Sequence, residues 1–146
     1  MRLQTSKQYV QDLDAANKRY TRMLEVFDTF RKGASHLAAR EYPLKGITID
    51  AVSPTEFMAR FLGKVVRFTF QYDHTALRGI VAVTAISPDG EPTGPNWSFH
   101  FNGQGEVGEI EPRPNEGAYN IAIDTDAAEI VLGALHIALV GKMEVV

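Results

Sequence analysis

Arg67, Thr69 and Gln71 stand at every second position of one segment, and Ser98, His100 and Asn102 do the same on another. A spacing of two sends side chains to one face of a β-strand. Together the six present a cation, an imidazole and several hydroxyl and amide groups, a set able to hold a carboxylate, a peptide edge or a small polar ligand. In an enzyme built on such a face, His100 would serve as acid or base and Arg67 would anchor an anion. The wetted side of a one-sided antiparallel sheet has the same pattern, and that plainer account is preferred. Alternation alone does not say whether the two strands are neighbours.

A second cluster, Glu106, Glu109 and Glu111, forms an acidic edge suited to a basic partner. The other imidazoles, His36, His74 and His136, have no close pairing in the sequence that would put two ligands on one metal, so no metal site is assigned. His136 lies in an apolar stretch and reads as a hydrogen-bonded core histidine, while Asp124 and Asp126 read as helix caps rather than as paired carboxylates for catalysis or magnesium. Gly103-Gln104-Gly105 joins two strand-like segments, which makes it turn chemistry and not a phosphate loop. Trp97, Phe99 and Phe101 look like core packing, because the basic, glycine-flanked lead-in of RNA-binding aromatics is missing. No catalytic residue and no cofactor is assigned.

Composition narrows the classes further. A chain of 146 residues, 45% hydrophobic and 23% charged, suits one domain spanning 1–146. Its net charge of -3 predicts no nucleic-acid partner. The absence of cysteine removes disulfides, thiolate nucleophiles and cysteine-based metal sites, and is compatible with a reducing cytoplasm, the predicted location. Gln4, Lys7, Gln8, Gln11, Asp12 and Asp14 interrupt what would be the apolar core of a secretion signal. The longest apolar run, Ile130 to Val140, contains Gly133 and His136 and falls short of the roughly 20 residues a membrane span requires, so no membrane partner is predicted.

These side chains must be held by elements whose periodicity is visible. Leu13, Ala16, Tyr20, Met23, Phe27, Phe30, Ala34 and Leu37 alternate in steps of three and four, the seam of a helix beginning near Ser6 with a Thr5/Gln8 capping box. Run unbroken to Tyr42, that helix would be about 55 Å long against a domain breadth of roughly 38 Å. Arg31-Lys32-Gly33 therefore reads as its end, with Ser35 opening a second short helix; the alternative is one long helix that projects and pairs with a partner. A strand over Gly46 to Val52 precedes a short helix whose start is Ser53-Pro54-Thr55-Glu56 and whose face is Phe57, Met58, Phe61 and Leu62. Strands follow at Lys64 to Tyr72, Gly79 to Ile86, Trp97 to Phe101, Glu106 to Glu111 and Tyr119 to Ile123, with Glu91 to Pro95 a loop. Asp126 with Glu129 caps a last helix that closes at Gly141.

The predicted fold class is α+β: an antiparallel sheet of about five to six strands, with N-terminal helices, one short inserted helix and a C-terminal helix packed on one face. The order of elements resembles, at the level of fold alone, the cystatin-like and NTF2-like sheets that wrap a helix, and such folds host binders and enzymes alike. The helices carry more apolar surface than one sheet face covers. The predicted function is accordingly a small non-enzymatic binding or regulatory protein that recognises another protein and forms a homo-oligomer, specifically a homodimer. The alternative is a small-molecule-binding or enzyme domain with His100 and Arg67 in a pocket on a curved sheet.

Overall fold

Residues 1–143 are described by the computed structural model, and the helical seam divides along its length. Helix α1 covers Ser6–Ala34, with the Thr5 hydroxyl accepting the Gln8 N–H at 3.3 Å as its N-cap. Met23, Val26, Phe27, Phe30, Gly33 and Ala34 are buried, whereas every residue from Ser6 to Ala15 is exposed. The helix is about 43 Å long. It breaks after Ala34 into a 3-10 turn, Ser35–Ala38, close to the predicted place. The reason differs from the one the sequence offered. Gly33 is not a left-handed stop; a Cβ there would stand 3.0 Å from the Ala127 Cβ and 3.2 Å from the Asp124 backbone, so the glycine lets two helices cross closely. Gly33→Val is expected to cost about 2 kcal/mol by overpacking this crossing, measured by urea unfolding.

Six strands follow as an antiparallel meander in the order β1 to β6: β1 Thr48–Ser53, β2 Glu56–Phe61, β3 Lys64–Asp73, β4 Arg78–Ile86, β5 Pro92–Phe101 and β6 Val107–Gly108. The predicted inserted helix does not form. Pro54 and Thr55 instead make the two-residue turn between Ser53 and Glu56, which pair across it. Serine and proline open turns as readily as helices, and pairing of Glu56–Phe61 with β3 decided the outcome. Burial along β2 has period two, with Phe57 and Ala59 inside and Met58 on the other face. Leu62 and Gly63, at φ +51° and +78°, supply the next tight turn, the all-positive type that suits the twist of a hairpin.

Glu91 to Pro95 is also not all loop. β5 starts at Pro92, which pairs with Ile86 beyond a bulge between Thr84 and Ile86. Only His100 and Phe101 of β5 pair with β6, so its first half is an edge where proline costs no ladder bond. The last two strands are shorter than predicted. β6 holds two residues before Glu109, at φ +75°, turns the chain away, and Tyr119 to Ile123 reduces to a bridge between Glu106 and Asn120.

Helix α2, Asp124–Val140, ends at Gly141 in the left-handed conformation, as its glycine suggested. Its start is preceded by Ile123 with no side-chain cap, which corrects the reading of Asp126 as a capping residue. Both helices pack on one face of the sheet. Phe57, Phe68, Phe99 and Phe101 are fully buried there and Phe70 nearly so, while Phe30 of α1 lies 5.3 to 6.0 Å, ring to ring, from Phe57, Phe68 and Phe99. Phe57 and Phe68, directly paired across β2 and β3, stack at 4.7 Å. Each such ring contributes about 2–3 kcal/mol of burial, and this aromatic layer is the core of the fold.

His136 lies on the exposed side of α2, not in the core as predicted. A helix apolar on every side leaves part of that surface bare: Leu139 and Val140 are 45% and 44% exposed. Among the described residues no helix is long and apolar enough to cross a membrane.

Candidate functional site

The register fixes the outer face of the sheet. Arg67, Thr69 and Gln71 of β3 pair with Thr84, Ala82 and Ile80 of β4, which in turn pair with Asn96, Ser98 and His100 of β5. The two strands that carry the predicted polar face are thus not neighbours; β4 runs between them. Gln71 shares a row with His100, but Arg67 lies two strands and four residues away, which puts their Cα atoms roughly 16 Å apart. One small ligand would not touch both. Arg67 faces Glu56 at 3.9 Å. Asn102 is not on the face at all: past the end of β5, its Oδ1 accepts the N–H groups of Gln104 and Glu106, each at 3.0 Å, and closes the turn.

His100 turns instead to the acidic edge. Its Nδ1 lies 2.7 Å from Glu109 Oε1, and its ring lies over Gly108, where any Cβ would overlap the imidazole. β6 is the last strand of the sheet, and Glu106, Glu109 and Glu111 flank its two residues. The three then separate. Glu106 pairs by backbone with Asn120, while Glu109 and Glu111 line a groove of about 280 Å³ together with Trp97, Ile110, Tyr119 and α2.

Beside this groove lies a polar cluster centred on Arg113 that the sequence did not reveal. Arg113 donates through both terminal nitrogens to Asp126, Nη1 to Oδ1 at 2.8 Å and Nη2 to Oδ2 at 3.2 Å. The same Nη1 lies 2.9 Å from Glu116 and 3.4 Å from Glu129. Its guanidinium sits 4.3 Å from the Tyr119 ring centroid, a cation over an aromatic face. Asp126, with its side chain 7% exposed, also accepts the Asn120 N–H at 2.9 Å. Tyr119 donates its hydroxyl to Glu129 at 3.1 Å. Hydrogen bonds to Asp126 push the Arg113 pKa up, and burial, then the bond to Glu129, pushes the Tyr119 phenol up, so both keep their protons.

Such a cluster clasps the loop from Glu109 to Asn120 onto the start of α2. Three carboxylates share the one guanidinium, and their contacts tie the loop to the helix. Among the described residues no group of three acidic or histidine side chains converges where a metal ion could sit. The signal for the clasp was faint: Arg113 between two prolines reads only as a strand end, and Asp126 imitates a cap.

No family model matches the chain, and no curated protein or solved structure is significantly similar to it.

Proposed function

We propose that this chain is a non-enzymatic binding or regulatory protein of the cytoplasm that acts by protein recognition and works as a homodimer, joined through the N-terminal half of α1. The observation that carries this reading is the exposed half of the helix. Tyr9, Val10 and Leu13 are 36%, 66% and 68% exposed, and the seam they begin is the one that Tyr20, Met23 and Phe27 continue into the core. A helix that keeps its apolar seam after leaving its own domain has a surface in search of cover.

A second copy supplies that cover in register. In heptad terms Tyr9 and Ala16 occupy one seam position and Leu13 the other, with Asp12 and Arg19 on the same flank. Two arms running antiparallel place Leu13 of each against Ala16 of the other and bring the flanking Asp12 and Arg19 of opposite arms together. Tyrosine and alanine are weak seam residues, so the pairing dissociates on dilution.

Light scattering behind size exclusion tests this: the chain is expected as a dimer at high micromolar concentration, and Leu13→Glu as a monomer with unchanged helix content. A strict monomer throughout the micromolar range, or a Leu13→Glu dimer as tight as the parent, would refute the pairing.

A further inference from the structure

The groove beside the Arg113 clasp supports an inference that goes beyond dimerisation. Its floor is apolar: Trp97 at the sheet edge, Ile110 and Tyr119 from the loop, and Ile130 and Ile137 from α2. Gly133 is part of the lining, and a Cβ at that position would meet nothing within 4 Å, so a larger side chain has room there. The rim is acidic, formed by Glu109, Glu111 and Glu129. These carboxylates are not equivalent. Glu129 is held by Tyr119 and Arg113, and Glu109 by His100, whereas Glu111 makes no hydrogen bond or ion pair among the described residues. Arg113, which reaches Glu129 on the rim, is also engaged by Asp126 and Glu116.

Charge and shape together select a ligand class. An apolar floor beside an indole and a phenol, under a rim of three carboxylates of which Glu111 has no partner among the described residues, favours a cation attached to a hydrocarbon body and repels an anion of the same shape. About 280 Å³ is near the lower limit of small-ligand sites and too confined for a helix or strand of a partner protein. Glu109 adds a local feature of the same kind, for a non-glycine residue at φ +75° is held off its preferred conformation, and here the turn brings its carboxylate to the rim. We propose that this groove binds a small amphiphilic cation, its body on the floor between Trp97 and α2 and its ammonium group at Glu109 and Glu111.

The chain contains a single tryptophan, so its fluorescence reports on this groove alone. Octylammonium, octanol and octanoate serve as probes of equal length and different charge, titrated into the full chain. Octylammonium is expected to give a saturable change in Trp97 emission at low millimolar concentration or below, octanol a weaker one, and octanoate none. The double variant Glu109→Gln/Glu111→Gln should weaken octylammonium about tenfold, two surface ion pairs together, and leave octanol unchanged. Both positions are exposed, so the fold survives this change, and circular dichroism verifies that it does. Gly133→Leu, which fills the floor, should abolish the response to both ligands. Equal affinity for octylammonium and octanol, binding of octanoate as tight as the amine, no saturable response to any probe, or a charge variant that binds the amine as well as the parent does would each overturn the proposal.

Discussion

Phe30→Ala is expected to lower the unfolding free energy by about 4 kcal/mol, the range for emptying a buried phenylalanine site. The ring is wholly buried and touches aromatic side chains from α1, β2, β3 and β5, so no single neighbour can move to fill the void. Against the roughly 5–15 kcal/mol that holds a typical domain together, this is a large share. Denaturant unfolding should show a lower midpoint with the slope retained. A loss under about 1 kcal/mol would mean that Phe30 lies at the surface, and α1 would then not be the lid of the sheet.

Asp126→Ala should rank second, at about 3 kcal/mol, because it removes the acceptor of the most buried ion pair among the described residues. Its side chain is 7% exposed and takes three hydrogen bonds, two from Arg113 and one from the Asn120 backbone. Asp126→Asn keeps an oxygen for Asn120 but loses the charge, and should fall between the parent and the alanine variant. Replacing Arg113 and Asp126 together by leucine should recover part of the loss, since an apolar pair leaves neither charge unmatched. Thermal unfolding of the three variants gives the ranking. A double variant less stable than Asp126→Ala alone would contradict the clasp.

The contrast between these two sites shows what the sequence made legible. Phe68, Phe70, Phe99 and Phe101 stood out because alternation on a strand is a short-range signal, and one buried face fixes it. The start of α1 at Thr5 and the end of α2 at Gly141 were local too. Ser53-Pro54-Thr55-Glu56 misled because its residues serve a helix start and a hairpin turn equally, and pairing with β3 arbitrated between them. Gly33 was noticed and misread: its small size matters to Ala127 and Asp124, which lie some ninety residues on.

Sites assembled from distant segments left no local trace. Arg113 and Asp126 are separated by a loop and a helix boundary, and nothing in their spacing announces a clasp. The groove draws on β5, the loop after β6 and α2, so it exists only once the fold does. The polar residues of β3 and β5 were legible as alternating positions, but strand order was not: β4 runs between the two strands and separates His100 from Arg67, and Asn102 falls in the turn beyond β5.

Hydrogen exchange along α1, followed at two protein concentrations, addresses the division of that helix most directly. The account predicts that amides from Met23 to Ala34 are protected at both concentrations, under the cover of the sheet and α2, while those from Ser6 to Arg19 become protected only at the higher one. Equal protection of the N-terminal amides at both concentrations, or rapid exchange along the whole helix, would contradict it.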